Sequence, residues 1–413
     1  MKFYFSLFKK ILAYLTSALL ILPVISVYTK FNKVRIIFVP DLPQGFLAHS
    51  VDLFFRKHQI SNVNDNTKTL LLARSIVYID GYPKSQLLLM FKRLSIGVDN
   101  VYMSTNSFMQ YIMYKTKRVY GHAVIFDKLT TNFYEYEYIS ALPMASFTCS
   151  EISSARNQLK LFGIDVVNDK IVSVFARDSD YKNHIDKKEG LDYRNTDINN
   201  FIPAIQYLVK KGYKVVRVGS YSTKEVQYTD KSFFDYTMSG KTNTLLDIFL
   251  LYISKFVVGT SSGAIDPAHL FNTPVTYIDC TTFYSLPFSN KFYDAYIPKK
   301  IASIKTGEIV RFSSIISQIR PKKNVRWAVD STYLREEFGV EFISNTETEI
   351  LEGVVETEER ISSFQLKDHS NSKSVELYYQ FLDTIKTNDL CTLPVLVWLE
   401  KNIDLYSNLK SDT

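Results

Sequence analysis

Two short stretches carry residue types and spacings that could do chemistry. The first is residues 255–279, KFVVGTSSGAIDPAHLFNTPVTYID. Phe256, Val257 and Val258 read as a buried strand, and Gly259, Thr260, Ser261, Ser262 and Gly263 as a loop of small residues. A short helix comes next, ended by Asn272, Thr273 and Pro274. A small-residue loop between a strand and a helix start leaves main-chain N–H groups pointing outward at the positive end of the helix dipole, a place for phosphate. The second stretch is Arg177, Asp178, Ser179 and Asp180, after the apolar run 171–175. A guanidinium at a strand end is a fixed bidentate donor for a diphosphate and stabilises that diphosphate as it departs.

Other chemistries use the same residues. GTSSG matches G-x-S-x-G, the nucleophile elbow of serine hydrolases, with Ser261 as the nucleophile. That fold needs an acid and then a histidine downstream. His369 is the usable one, because His269 falls inside the following helix. Asp178 and Asp180 match D-x-D, whose paired carboxylates hold a divalent cation on a sugar nucleotide. Arg177 beside them opposes a cation and favours a phosphate. The plainer readings are a local ion pair between Arg177 and Asp178, a tight strand–helix connection at GTSSG, and a chain that binds a glycan or lipid without reacting. Arg177 and the loop fall at strand ends of one sheet, which favours a clamp on a diphosphate with no metal and no cofactor.

The elements that must position these groups alternate between strand and helix. Residues 34–39 read as a strand ended by Pro40, 70–79 contain another apolar run, 83–94 read as a helix and 101–103 as a short strand. Residues 130–154, with Pro143 and several Ser and Thr, read as a linker. Beyond it, 171–175 is a strand. Asn200 is expected to cap a helix whose Phe201, Ile202, Ile205, Leu208 and Val209 share one face, with Pro203 in its first turn and Gly212 at its end. Residues 213–218 form the next strand and 245–253 a mostly buried helix. This alternation is the doubly wound pattern, whose ligands sit at the carboxyl ends of the strands. The tail from about 324 reads as helical, with an acidic stretch at 347–359 and a final segment at 390–405.

A chain of 413 residues exceeds one core and predicts two domains with extensions. Its net charge of +7 is spread thinly, without the dense basic block of a nucleic-acid binder. Lys299, Lys300, Arg320, Lys322, Lys323 and Arg326 read as a solvated rim. Tyr and Phe are abundant, which fits a compositional bias better than a set of sugar-stacking platforms. Cys149, Cys280 and Cys391 are odd in number and far apart, with no CxxC or Cys/His cluster, which argues against a structural zinc and fits a reducing compartment with buried thiols. Residues 11–28 are uncharged and mostly apolar between Lys9, Lys10 and Lys30, Lys33, Arg35. With no good cleavage site and Pro23 inside it, this segment reads as a membrane-surface element or short anchor, with the bulk of the chain cytoplasmic.

The block VSVFARDSDY, DYRNTDINNFIPAIQYLVKKGYKVVRVGS, LLDIFLLYISKFVVGTSSGAIDPAHLFNTPV and YIPKK resembles a bacterial glycosyltransferase family of surface-polysaccharide loci. The resemblance is close over 172–299 and weaker across the rest. It is also distantly similar to fucosyltransferases with an H-x-R-R-x-D motif followed by L-D-I and paired serines. On that pattern Arg177 takes the first arginine, Asp180 the motif's acid, Asp247 the acid of L-D-I, and Ser261 and Ser262 the serines near the nucleotide. Phe175 and Asp178 stand where the motif has histidine and its second arginine. Phe46 replaces the histidine of an early G-H-L-A segment at Gly45–Ala48, with His49 close by as a substitute.

The resemblance implies a GT-B-like α/β fold: two Rossmann-like doubly wound domains facing a cleft, an apolar N-terminal helix and a helical C-terminal extension. The expected boundaries are 1–32, 33–150 for the acceptor side, 151–323 for the nucleotide-sugar donor side, and 324–413. The expected activity moves a sugar from a nucleotide donor to a glycan or lipid-linked acceptor at the cytoplasmic face of the inner membrane. Arg177, Asp178 and Asp180 would be catalytic. Arg177, Arg194, Arg217, Gly219, Asp247, Gly259, Thr260, Ser261, Ser262 and Gly263 would hold the donor. A carboxylate, Asp178 or Asp180, would take the acceptor's proton.

Overall fold

The chain was described with a computed structural model covering residues 33–39, 44–61, 67–73, 84–97, 101–104, 125–128, 143–178, 192–281, 293–319, 331–363, 372–384 and 393–407, with scattered positions between 8 and 27. It divides into two units, Met1–Phe147 and Thr148–Thr413.

In the first unit, strand β1 (Lys33–Val39) is followed by helix α1 (Gln44–Ser61), strand β2 (Thr67–Ala73), helix α2 (Lys84–Gly97) and strands β3 (Val101–Ser104) and β4 (Ile125–Lys128). All pairings are parallel, in the order β3-β2-β1-β4. Parallel strands buried in a sheet read as apolar runs, which is why β1 and β3 are visible in the sequence while β4 is not. Phe55 of α1 and Phe91 of α2 are fully buried and stack with ring centroids 6.2 Å apart. Among the described residues no helix is long and apolar enough to cross a membrane. The 11–28 segment lies largely outside them.

The second unit begins with helix α3 (Cys149–Leu161), which starts inside the stretch expected to be a linker and runs beyond it. Thr148 accepts from the Glu151 amide and Glu151 accepts from the Thr148 amide, a reciprocal capping box that starts a helix in a Ser-rich segment. Then come β5 (Lys170–Phe175), α4 (Ile202–Lys210), β6 (Tyr213–Arg217), β7 (Phe233–Asp235), α5 (Thr244–Ile253), β8 (Phe256–Thr260), β9 (Val275–Cys280) and β10 (Ala295–Pro298). Asn200 is not the cap of α4. Asp197 caps a 3-10 turn over Ile198–Phe201 that runs into α4, with Pro203 in the first turn as expected. Gly212 ends that helix with φ of +85°, a left-handed angle suited to glycine.

These six strands form one parallel sheet in the order β10-β9-β8-β5-β6-β7. The chain moves outward from β5 through β6 to β7, then returns to lay β8 on the other side of β5. That reversal is the topological switch point of a doubly wound sheet, where a crevice opens at the carboxyl ends of the strands. Phe175 pairs with Gly259 across it. A Cβ on Gly259 would lie 2.6 Å from the Phe175 carbonyl oxygen, so only glycine lets β8 approach β5 this closely.

The tail from about 324 is not all helical, because one strand in it joins two that precede it. β11 (Lys300–Ser303), β12 (Ile309–Val310) and β13 (Val340–Ile343) make a small antiparallel sheet, with α6 (Phe312–Ile319) and α7 (Ser331–Phe338) between its strands. Helix α8 (Glu347–Ser363) packs on α4, β9 and β10. Helices α9 (Lys373–Thr384) and α10 (Leu396–Asn402) complete the same hydrophobic core.

Candidate functional site

Arg177 leaves β5 with both main-chain groups engaged. Its amide donates to Thr260 Oγ1 at 2.8 Å and its carbonyl accepts from the Thr196 amide at 2.9 Å. Its guanidinium donates to Asn195 Oδ1. Arg194, in the turn Asp192–Arg194, donates to the Ser261 carbonyl oxygen at 2.6 Å. Arg177 thus meets the Gly259–Gly263 loop at the switch point through its main chain, while its guanidinium goes to Asn195. Arg177, Arg194, Ser261, Ser262 and Gly263 are half-buried, while Gly259 and Thr260 are buried beneath them.

The loop itself differs from the expected one. It leads into a six-residue 3-10 helix, Asp266–Phe271, with Asp266 in its first turn. The Ala264 amide donates to Ser262 Oγ, and the Ile265 and Asp266 amides donate to the Ser262 carbonyl. The helix end thus satisfies itself. Among the described residues, no partner takes the amides of Ser261, Ser262 and Gly263. The cationic groups here are the Arg177 and Arg194 guanidiniums.

A third cation joins them. Lys299, expected on a solvated rim, is 3% exposed. Its Nζ donates to the Asn195 carbonyl at 2.7 Å and to Ser344 Oγ at 3.0 Å, and lies 3.8 Å from Asp279 Oδ2. Burial pulls the Lys299 pKa down, Asp279 opposes that, and the charge of Arg177 adds to it. Its neighbour Lys300 pairs with Glu349 at 2.7 Å and is mostly covered, while 320–330 lie outside the described residues. Asp279 sits at the end of β9 with φ of +54°, a left-handed angle rare outside glycine, asparagine and aspartate. Burial raises its pKa against the lowering effect of Lys299. Lys299, Asp279 and Asn345 were missed by sequence reasoning; the lone signal was a lysine directly after a strand run.

The remaining expected residues form a neighbouring group at the ends of β6 and β7. The Arg217 guanidinium is buried and donates to the Lys224 carbonyl, Asp235 and Ser222, at 2.6, 2.9 and 2.9 Å. Ser222 donates in turn to Asp178 at 2.5 Å, and Arg217 lies 4.0 Å from that carboxylate. A carboxylate held by a hydroxyl and facing a guanidinium is a poor ligand for a cation, which weighs against the D-x-D reading. Asp180 lies outside the described residues. Gly219 has φ of +140° and close neighbours in Thr237 and Phe175.

Asp247 accepts from Tyr236 at 2.9 Å and from Ser220 at 3.2 Å. Burial raises its carboxyl from 3.8 to about 6, against the lowering effect of those two hydrogen bonds. The folded chain therefore holds this proton more tightly than the unfolded chain. That contribution to stability is full below 3.8 and lost as pH rises through about 6. Asp247→Asn is expected to flatten the decline of the thermal midpoint across this window; decline curves parallel to wild type would contradict it.

The hydrolase reading gains no support. Among the described residues no histidine bonds to Ser261, His369 lies outside them, and His269 is buried with Nε2 2.5 Å from Tyr277 Oη. His49 stands on α1 in the first unit. Of the cysteines expected to be buried, Cys280 is and Cys149 is exposed, while Cys391 lies outside the described residues.

No protein-family model matches the chain, and no curated protein matches it. Among solved structures, the glycosyl transferase family 9 protein of Veillonella parvula is similar over 81% of this chain and 98% of its own, at 10% identity and a TM-score of 0.41. The ADP-heptose LPS heptosyltransferase II of E. coli is similar over 62% of this chain and 86% of its own, at 15% identity and a TM-score of 0.36. The E. coli heptosyltransferase WaaC with ADP is similar over 60% and 88%, at 10% identity and a TM-score of 0.31. Likeness at this level shows nothing about activity.

Proposed function

We propose that this chain is a glycosyltransferase of GT-B type, with the second unit binding a nucleotide-sugar donor and the first unit serving a glycan or lipid-linked acceptor. The observation that carries this reading is that, at the switch point of a doubly wound sheet, the Arg177 amide bonds to Thr260 and the Arg194 guanidinium to the Ser261 carbonyl. Such a crevice takes a nucleotide, and two guanidiniums with main-chain donors stabilise a departing diphosphate without a metal. Arg177 and Arg194 face the diphosphate, with Thr260, Ser261, Ser262 and Gly263 shaping the turn around it. Gly259 lets the strand beneath come close. Gly219 and Asp247 border the nucleoside end. Asp178 and Arg217 brace one another through Ser222. The acceptor hydroxyl needs a base, for which the sequence offers Asp180. The apolar 11–28 segment suits attachment at the cytoplasmic face of a membrane, as expected of an enzyme of surface-polysaccharide synthesis.

A thermal-shift screen of the purified chain against ADP-, GDP-, UDP-, CMP- and dTDP-sugars tests the reading. One class is expected to raise the midpoint and to be turned over in excess EDTA. Abolition by EDTA with restoration by manganese would return the site to the D-x-D chemistry. A flat screen would make the chain a non-catalytic binder.

A further inference from the structure

Lys299 is too costly a group to bury for packing alone. Removing an ammonium from water is unfavourable unless its donors are satisfied. Here they go to Asn195 O, Ser344 Oγ and the Asp279 carboxylate, which lies a little beyond hydrogen-bond length. Asp279 is itself held: Thr196 Oγ1 donates to its Oδ2 and the Asn345 amide to its Oδ1, both at 2.6 Å, while the Asp279 amide donates to Asn345 Oδ1 at 3.0 Å. The backbone strain at Asp279 lies in the same few residues, as strain does where a side chain must be aimed. The group on which this network converges is Asn195. Its carbonyl takes the lysine and its side chain takes the Arg177 guanidinium.

We propose that Lys299 is a positioning residue for Arg177, acting through Asn195, with Asp279 fixing the lysine and the post-β13 residues Ser344 and Asn345 closing the network. This rests on the donor-site reading above. It makes the C-terminal segment part of the nucleotide site rather than an appendage. A plain structural staple would also use these contacts, but it would not couple Lys299 to Asn195 in nucleotide affinity.

The test is calorimetric titration of the full chain with ADP, CDP, GDP, UDP and dTDP, then with the tightest binder on variants. Lys299→Met is expected to weaken binding about 10–100-fold, as loss of a supporting partner does. Asn195→Ala is expected to weaken it comparably, and the double variant no further than the weaker single. Additive losses, or wild-type affinity in Lys299→Met, overturn the proposal while leaving the donor site standing. If Lys299→Met does not fold, Lys299→Arg keeps the charge beside Asp279 but replaces a point donor with a planar fork; it is expected to bind more weakly, and unchanged affinity overturns the proposal. If the wild type binds none of the five diphosphates, the donor-site reading fails and the positioning role falls with it.

Discussion

Arg177→Ala is expected to lower sugar transfer by about 10²–10³-fold, the effect of removing one preorganised donor from a developing anion. The fold should survive. The two hydrogen bonds that tie residue 177 to Thr260 and Thr196 use its main chain, which alanine keeps. Asn195, which loses the guanidinium, is half-buried and not sealed in the core. Arg177→Lys restores charge but not a planar fork, so only partial recovery is expected. Steady-state transfer rates together with thermal midpoints check this. An Arg177→Ala enzyme that transfers at the wild-type rate would remove the residue from the mechanism.

The largest expected effect on stability comes from a residue that touches no ligand. Glu356 lies in α8 and is 2% exposed. Its Oε1 accepts from Arg360 and from the Leu396 amide, and its Oε2 from the Val397 amide, the last two at 2.9 Å. One carboxylate thus neutralises a buried arginine and closes the start of α10 in place of a local cap. Glu356→Ala would strand a buried cation and two amides. Breaking such a pair from one side costs about 3–5 kcal/mol. Denaturant unfolding should show a loss of that size, and a loss under about 1 kcal/mol would mean water reaches the cluster. Because α8 follows Ser344 and Asn345 in the chain, nucleotide affinity should fall along with stability.

The central strands β5, β6 and β8 were legible because each is mostly buried and reads as an apolar run, whereas β4, β7 and β10 were not read. Val172, Val174, Val215, Val257 and Val258 show this directly. Strand β13 was not legible: four residues with Glu341 exposed in the middle, at the edge of an antiparallel sheet, give no run to read. Helix α3 was hidden because its signal lay in the cap, Thr148 to Glu151, and not in apolar spacing. At the site, Arg177 and the loop were legible because both follow strands of one sheet, and topology then brings them together. Lys299 was not, since its partners lie 104 residues before it and 45 residues after it in the chain. A lysine's burial is decided by what folds over it, and composition alone assigns it to the surface. Arg217 shows the converse: its place near a strand end suggested a ligand, and Asp235 and Ser222 already occupy it.

The central claim is that Arg177 and the turn after β8 grip a diphosphate. Titration of wild type and Arg177→Ala with the preferred nucleoside diphosphate, and with the matching nucleoside, tests it most directly. Wild type is expected to bind the diphosphate tightly and the variant more weakly, with equally weak nucleoside binding by both. Equal diphosphate affinity in the two proteins, with the variant still folded, would contradict it.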